Sequence, residues 1–306
     1  MSNNHDIMKE MEETIMEDLI RPIYQEWASH RNTLGILMIE KKANNSAVTD
    51  TFHIVLLVVT TNMAPPIFVK HYVSGEEKAA LYVVDETKLN EWLLLGSHRK
   101  IIDWIFYGKI LFDRNDYIYQ LRNRMKEFPE EMRQLKMGIE FAKLIRRYMD
   151  GKAFFEADQL LDAYNHVIHA LHHLARLAVI EQGFYPEVTV WNQIKQMDAQ
   201  IYKLYEELVS SEEPLQKRLE LLFLASEFLI HSRIPSGAAH LFKVLREKEG
   251  AWSIAEIMQH PELSSYSVDL IIMLEYLVEK KVLSVEEAPT KSSHIYHRYY
   301  SLQNEE

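Results

Sequence analysis

The sequence predicts an α+β chain in three parts: a small mixed-sheet domain over 1–116, a helical bundle over 117–235, and a C-terminal unit of three helices and a hairpin over 236–306. Three observations carry this. Short β-branched runs alternate with turn formers in the first part. Long amphipathic patterns joined by short loops fill the middle. Past Pro235-Ser236-Gly237 the order changes to three helical stretches and then two strand-like runs.

In the first part, Ile15, Leu19, Ile23 and Trp27 recur at helical spacing and predict a helix over 8–29. A strand follows over 34–40, then a polar connection with Asn44, Asn45 and Ser46 as turn formers. The run HIVLLVVT over 53–60 is short, apolar and β-branched, which suits a strand covered on both faces. Residues 67–73 and 78–84 read as a hairpin around Ser74-Gly75-Glu76. Helical stretches at 87–95 and 98–107 lead to a short strand at 109–112.

The bundle is expected to break at Gly151, at 183–186 and at 212–214. Its clearest helix spans 156–181, where Leu160, Tyr164, Val167, Leu171, Leu174 and Ala178 step by four and three along one stripe. In the last part, helices are expected over 238–248, from Ser253 (with Glu256 completing a capping box) and over 265–280. Strands over 282–286 and 295–302 complete a winged-helix order.

Composition narrows the function classes. Nearly half of the 306 residues are hydrophobic, nine are glycine and nine proline, so a sizeable core is expected and long disordered tracts are not. The absence of cysteine excludes disulfides and thiolate metal sites. No apolar signal core opens the chain and no stretch reaches the roughly 20 apolar residues of a membrane helix, so a cytoplasmic location is expected and a membrane partner is not. A net charge of −11 weighs against nucleic acid, which is held by clustered Lys and Arg.

The order helix, strand, polar loop, strand over 8–60, with the TDTFHIVLLVV run at 49–59, resembles the nucleotidyltransferase fold. The segment AYNHVIHALHHLARLAVIEQG at 163–183 resembles the helical partner domain of kanamycin nucleotidyltransferases and of HEPN-type bundles. The whole chain resembles the nucleotidyltransferase-like proteins of low-GC Gram-positive bacteria that end in a helix-turn-helix unit. This implies a nucleotidyltransferase-like mixed sheet domain, a HEPN-like helical domain and a winged-helix-like end.

The resembled enzymes carry a Gly-Ser at the end of the first core strand and two acids, one residue apart, at the start of the next. Here Ile39-Glu40 and then Thr51 and His53 occupy those places. Magnesium takes hard oxygen ligands, usually carboxylates, so the acidic pair is missing. Strand alternation would turn Asp50 to the face opposite Thr51, and a bulge would restore it. Asp85 is the one acid that could be displaced into the third place. Asp50, His53 and Glu40 are therefore the candidate catalytic set, binding a nucleotide with magnesium if active. The leading expectation is that this site is degenerate, with no resident cofactor, in a protein that binds a nucleotide or partner in a regulatory or scaffold role; an active metal-dependent nucleotidyltransferase with these unusual ligands, or a DNA-binding regulator, is the alternative.

A second candidate set lies on the 156–181 helix. Asp162, His166, His169, His173 and Arg176 share one face away from the apolar stripe, with His172 beside it. Metal ligation would need ligands from more than one helix face. A polar strip facing solvent, or lining an interdomain cleft for substrate, is the alternative. Arg124, Arg146, Arg147 and Arg176 lack the following histidine of HEPN-type ribonucleases.

The third C-terminal helix would lead into DNA with Ser265, Tyr266, Ser267 and Asp269, and the unit has seven basic against eleven acidic residues, so a packing or protein-contact role is expected ahead of DNA reading. Lys291, His294, His297 and Arg298 on the hairpin are what DNA would use. Gly96-Ser97-His98-Arg99-Lys100 could cradle a phosphate at a helix start but lacks the glycines of a phosphate loop and is expected to be a turn, and Trp92, Trp104, Trp191 and Trp252 read as packing anchors. The partners expected are a nucleotide and, compatibly, a second copy of the chain; nucleic acid enters only through the C-terminal unit.

Overall fold

Strand β2 (Ile54–Thr60) is buried along its whole length, which is why its sequence is an unbroken apolar run. In the computed structural model, which describes residues 20–41, 46–292 and 294–303, it lies at the centre of a five-stranded mixed sheet. The other strands are β1 (Thr33–Glu40), β3 (Ile67–Ser74), β4 (Glu77–Asp85) and β5 (Lys109–Asp113), in the order β3-β4-β2-β1-β5. β2 runs antiparallel to β1, with Leu37 opposite Leu57, and parallel to β4, with Leu56 opposite Leu81.

Helix α1 is described over 20–29; the start of the expected helix, with Ile15 and Leu19, lies outside the described residues, as do Asn44 and Asn45. Its Ile20 and Ile23 close one face of the sheet over Ile36, Met38, Leu56 and Leu81. A short helix α2 (Ser46–Thr49) precedes β2. Helices α3 (Glu86–Leu95) and α4 (Ile101–Tyr107) pack against β2, β4 and β1 with Leu89, Trp92, Trp104 and Ile105 buried. Trp104 Nε1 donates to the Val48 carbonyl at 2.9 Å and ties α4 to α2.

The division between two compact units falls between Glu127 and Phe128. Helix α5 (Tyr117–Glu127), placed with the bundle on its sequence pattern, packs instead on β1 and β5. Arg122 Nε, donating to the Ile105 carbonyl at 2.7 Å, fixes it there.

The second unit is built on α6 (Glu130–Glu156) and α7 (Leu160–Glu181). The break expected at Gly151 is absent: α6 runs through it and stops at 157–159. A Cβ at Gly151 would lie 3.2 Å from His166 Cβ, so glycine is used for close helix approach and not for termination. On α7 the stripe of Val167, Leu171, Leu174 and Ala178 is buried, as its spacing requires. Helices α8 (Val190–Met197), α9 (Ala199–Ser210) and α10 (Leu215–Ser232) complete the bundle.

The C-terminal part follows through α11 (Ile234–Gly237) and α12 (Ala239–Leu245). Then come β6 (Trp252–Ser253), α13 (Ile254–Gln259), α14 (Asp269–Glu279), β7 (Leu283–Pro289) and β8 (Tyr296–Leu302). The Ser253–Glu256 capping box starts α13. β8 pairs with both β6 and β7, giving the three-stranded wing. α14 packs on α6, as does the 3-10 turn before it (Pro261–Tyr266), whose Tyr266 hydroxyl sits 1.9 Å from where a Gly138 Cβ would be.

Candidate functional site

The mouth of β2 holds the first candidate set. β1 ends at Glu40, and the Lys41 N–H donates to the His53 carbonyl at 2.8 Å. Asp50 lies in the turn after α2 with φ +55°, outside the strand, so alternation along β2 does not aim its side chain. Its carboxylate pairs with Lys100. His53 turns to the start of β4: its Nδ1 accepts the Lys78 N–H at 3.0 Å and lies 3.0 Å from the Glu77 carboxylate. Glu40 faces a cavity of about 230 Å³ lined also by Val48, Asp103, Tyr107 and Lys109; neither Asp50 nor His53 lines it. Among the described residues no three His, Asp or Glu side chains gather as a metal site.

Asp85 is spent elsewhere. It caps α3, accepting the Thr87 N–H at 3.0 Å and hydroxyl at 2.6 Å and the Met63 N–H at 3.0 Å. Those donors, Met63 first, hold its carboxyl below the usual range. Gly96-Ser97-His98-Arg99-Lys100 forms a turn: Gly96 closes α3 in the left-handed region, and His98 stacks on Trp92 with ring centroids 4.5 Å apart. Burial lowers the His98 pKa. Sequence reasoning missed Asp103, a buried acid in the otherwise apolar IIDWIFY helix; that isolated charge was the available signal.

The second set divides. Asp162 and His169 are exposed on α7. His166, His173 and Arg176, expected to point away from the packed face, turn against α6. His166 packs on Phe154 and sits 3.7 Å from Asp150. Arg176 Nε donates at 2.7 Å to Oε1 of Glu140, and His173 Nδ1 lies 2.7 Å from the same oxygen. His172 packs on Trp191 and Tyr205.

Glu140 is 2% exposed. Burial pushes its pKa up, but the Arg176 guanidinium and the His173 bond outweigh this and the net direction is down. One turn earlier, Lys136 is buried with its ammonium 5.6 Å from the Tyr185 ring centre. Burial, then the charge of Arg176, pushes the Lys136 amine down to about 7. Two side chains of α7, Arg176 and His173, are thus held on one buried carboxylate of α6 and preset in orientation. Glu140 and Lys136 were not singled out from sequence, because their partners lie on another helix 33 or more residues away.

In the C-terminal part, Arg146 of α6 pairs with Asp269, the first residue of α14, and also donates to the Val268 carbonyl. Lys280 at the other end of α14 pairs with Glu227 of α10 at 2.6 Å. On α14 the exposed residues are Ile271 and Glu279, with Val268 just before, and Glu275 is engaged bidentately by Arg298 at 3.0–3.1 Å. Among the described residues no helix is long and apolar enough to cross a membrane.

Comparison with known proteins follows the same divisions. Residues 16–133 match a family described as nucleotidyltransferase-like, 134–233 a YgxA-like substrate binding domain, and 239–302 a helix-turn-helix domain. The Bacillus subtilis protein YgxA is 54% identical over 286 residues, spanning 94% of this chain and 97% of that one. The crystal structure of a nucleotidyltransferase-like protein from Exiguobacterium sibiricum is 39% identical, covers 94% of this chain and 99% of that one, and superposes with a TM-score of 0.76.

Proposed function

Because the chain belongs to the nucleotidyltransferase-like family, we propose that it is a regulatory protein that binds a nucleotide without transferring it. One observation carries this reading: Asp50, His53 and Glu40 address three different sets of neighbours. Nucleotidyl transfer depends on carboxylates sharing a divalent ion that bridges the phosphates and takes up the leaving charge. A lysine-paired aspartate and a histidine occupied by a backbone N–H are poor ligands for that ion. The competing reading, an active enzyme with unusual metal ligands, would need the same three residues to converge.

The anion-binding half of the reading rests on Arg176 and His173, held on buried Glu140 within the residues that match the substrate binding domain. A guanidinium whose orientation is already fixed loses little freedom when it meets a phosphate. The regulatory half is assigned to the helix-turn-helix part, acting by protein contact. The helix-turn-helix match favours DNA, but an outward face of Val268, Ile271 and Glu279 offers a phosphate backbone nothing.

The test is a thermal-shift series with ATP and GTP, with and without magnesium, beside a single-turnover assay using labelled ATP. The expected result is nucleotide-dependent stabilisation of a few degrees, corresponding to roughly 2–3 kcal/mol near saturation, with no turnover and no effect of Asp50→Asn. Magnesium-dependent turnover abolished by Asp50→Asn would overturn it. Absence of a shift with either nucleotide would leave a scaffold role.

A further inference from the structure

A groove in the second unit shares no residue with either candidate set. It has a volume of about 960 Å³ and is bounded by the end of α10, by α11 and by the first helix of the C-terminal part, α12. Ala239, Phe242, Lys243 and Arg246 step by three, one and three along α12, so one helix face supplies one wall. His231, Ile234 and Pro235 line it from the end of α10 and α11, and Gln134 of α6, Val282, Leu302 and Gln303 complete the lining.

Two features distinguish this groove. First, among the described residues no carboxylate lines it, in a chain whose net charge is −11. Second, its cations have no ion-pair partner among the described residues. Lys248, Lys280 and Arg298 of the same part are each paired with a carboxylate, whereas among the described residues Lys243 and Arg246 are in no ion pair. Both are exposed, one helical turn apart, beside the half-buried ring of Phe242. An aromatic and apolar wall with a lysine and an arginine at one edge is the arrangement that holds a flat ring while its phosphate is neutralised. The volume lies in the range of small-ligand pockets.

We propose that this groove is a second ligand site, for a phosphorylated aromatic compound of mononucleotide size, with Lys243 and Arg246 on the phosphate and the ring against Phe242, Ile234 and Pro235. Its walls come from both the bundle and the helix-turn-helix part, so an occupant fastens α12 to the end of α10. A small ligand fits better than a DNA backbone, because the cations sit at one edge of a concave, apolar-walled site and do not form a track across a face. The proposal does not depend on nucleotide binding at the first site.

The experiment uses the full chain with AMP, adenosine and ribose 5-phosphate as titrants in calorimetry, and 8-azido-AMP as a photolabel mapped by mass spectrometry. Expected are AMP binding that falls at least tenfold in a Lys243→Glu/Arg246→Glu variant with an unchanged melting profile, weaker binding of both fragments, and label within 231–246. Equal AMP affinity in wild type and variant, or label confined to 20–127 or 136–176, would overturn the proposal while leaving nucleotide binding at the first site standing. No AMP binding by wild type would overturn it too. So would a variant that loses duplex DNA but keeps AMP.

Discussion

Arg146 holds Asp269 at the first turn of α14, and the same guanidinium reaches the Val268 carbonyl. The leading end of the helix that would enter a DNA groove is therefore anchored to the bundle. Replacing Arg146 with Met removes a charged hydrogen-bonded pair that is largely shielded from water. The expected loss is about 1–3 kcal/mol, read as a lower midpoint in urea with an unchanged m-value.

Gly138→Ala is expected to cost about 1–3 kcal/mol through overpacking, because the new methyl meets the Tyr266 hydroxyl. Adding Tyr266→Phe removes the closest atom and should restore part of the loss. Calorimetric melting of the two single variants and the double variant reads the coupling; full additivity would show that α14 simply shifts away.

Glu140→Gln should cost about 3–5 kcal/mol, the penalty of breaking a buried pair from one side, since Arg176 and His173 lose the negative charge they share. In the wild type the folded-state pKa of Glu140 is depressed, so its contribution is full above the unfolded carboxylate range and is lost as pH falls through the folded value. Urea midpoints should drop steeply with acid in the wild type and less in the variant.

Lys136 predicts the opposite limb. Burial pushes its amine down to about 7, well below the ordinary lysine range, so between pH 7 and 9 the unfolded chain carries more protons on this group and stability rises with pH. Lys136→Met should flatten that rise, measured as the slope of unfolding free energy against pH.

Glu275→Gln should free Arg298, which Glu275 now holds bidentately. Affinity for a random DNA duplex, followed by fluorescence anisotropy, should increase several-fold with a salt slope steeper by about one, as for one added phosphate contact. No change would mean that the wing does not face the duplex.

Much of the scaffold could be read before the coordinates. β2 was visible because burial on both faces leaves no polar alternation, and α13 because Ser253 and Glu256 are a local pair whose geometry depends on no distant residue. Gly151 misled because its cost in a helix, about 1 kcal/mol, is smaller than the gain from bringing α6 against α7. The helix at 117–127 was placed with the bundle because periodicity tells which face is apolar and not what covers it. The site was harder. Asp50 was read as a strand residue but lies in a turn, and the strip on α7 was read as facing solvent or a cleft because its spacing sets it apart from the apolar stripe; the partner of His173 and Arg176, Glu140, is a single acid within an apolar stretch of another helix.

α6 is the feature with the longest reach. It gives one side to α7, at Gly151, and another to α14 and the 3-10 turn Pro261–Tyr266 before it, at Gly138. A chain cut after residue 235 would leave the α14-facing side of that helix bare to water, so the terminal segment is a structural lid on the bundle as well as an appendage to it. Descendants of this architecture should shed or exchange the segment only when α6 is rewritten at the same time.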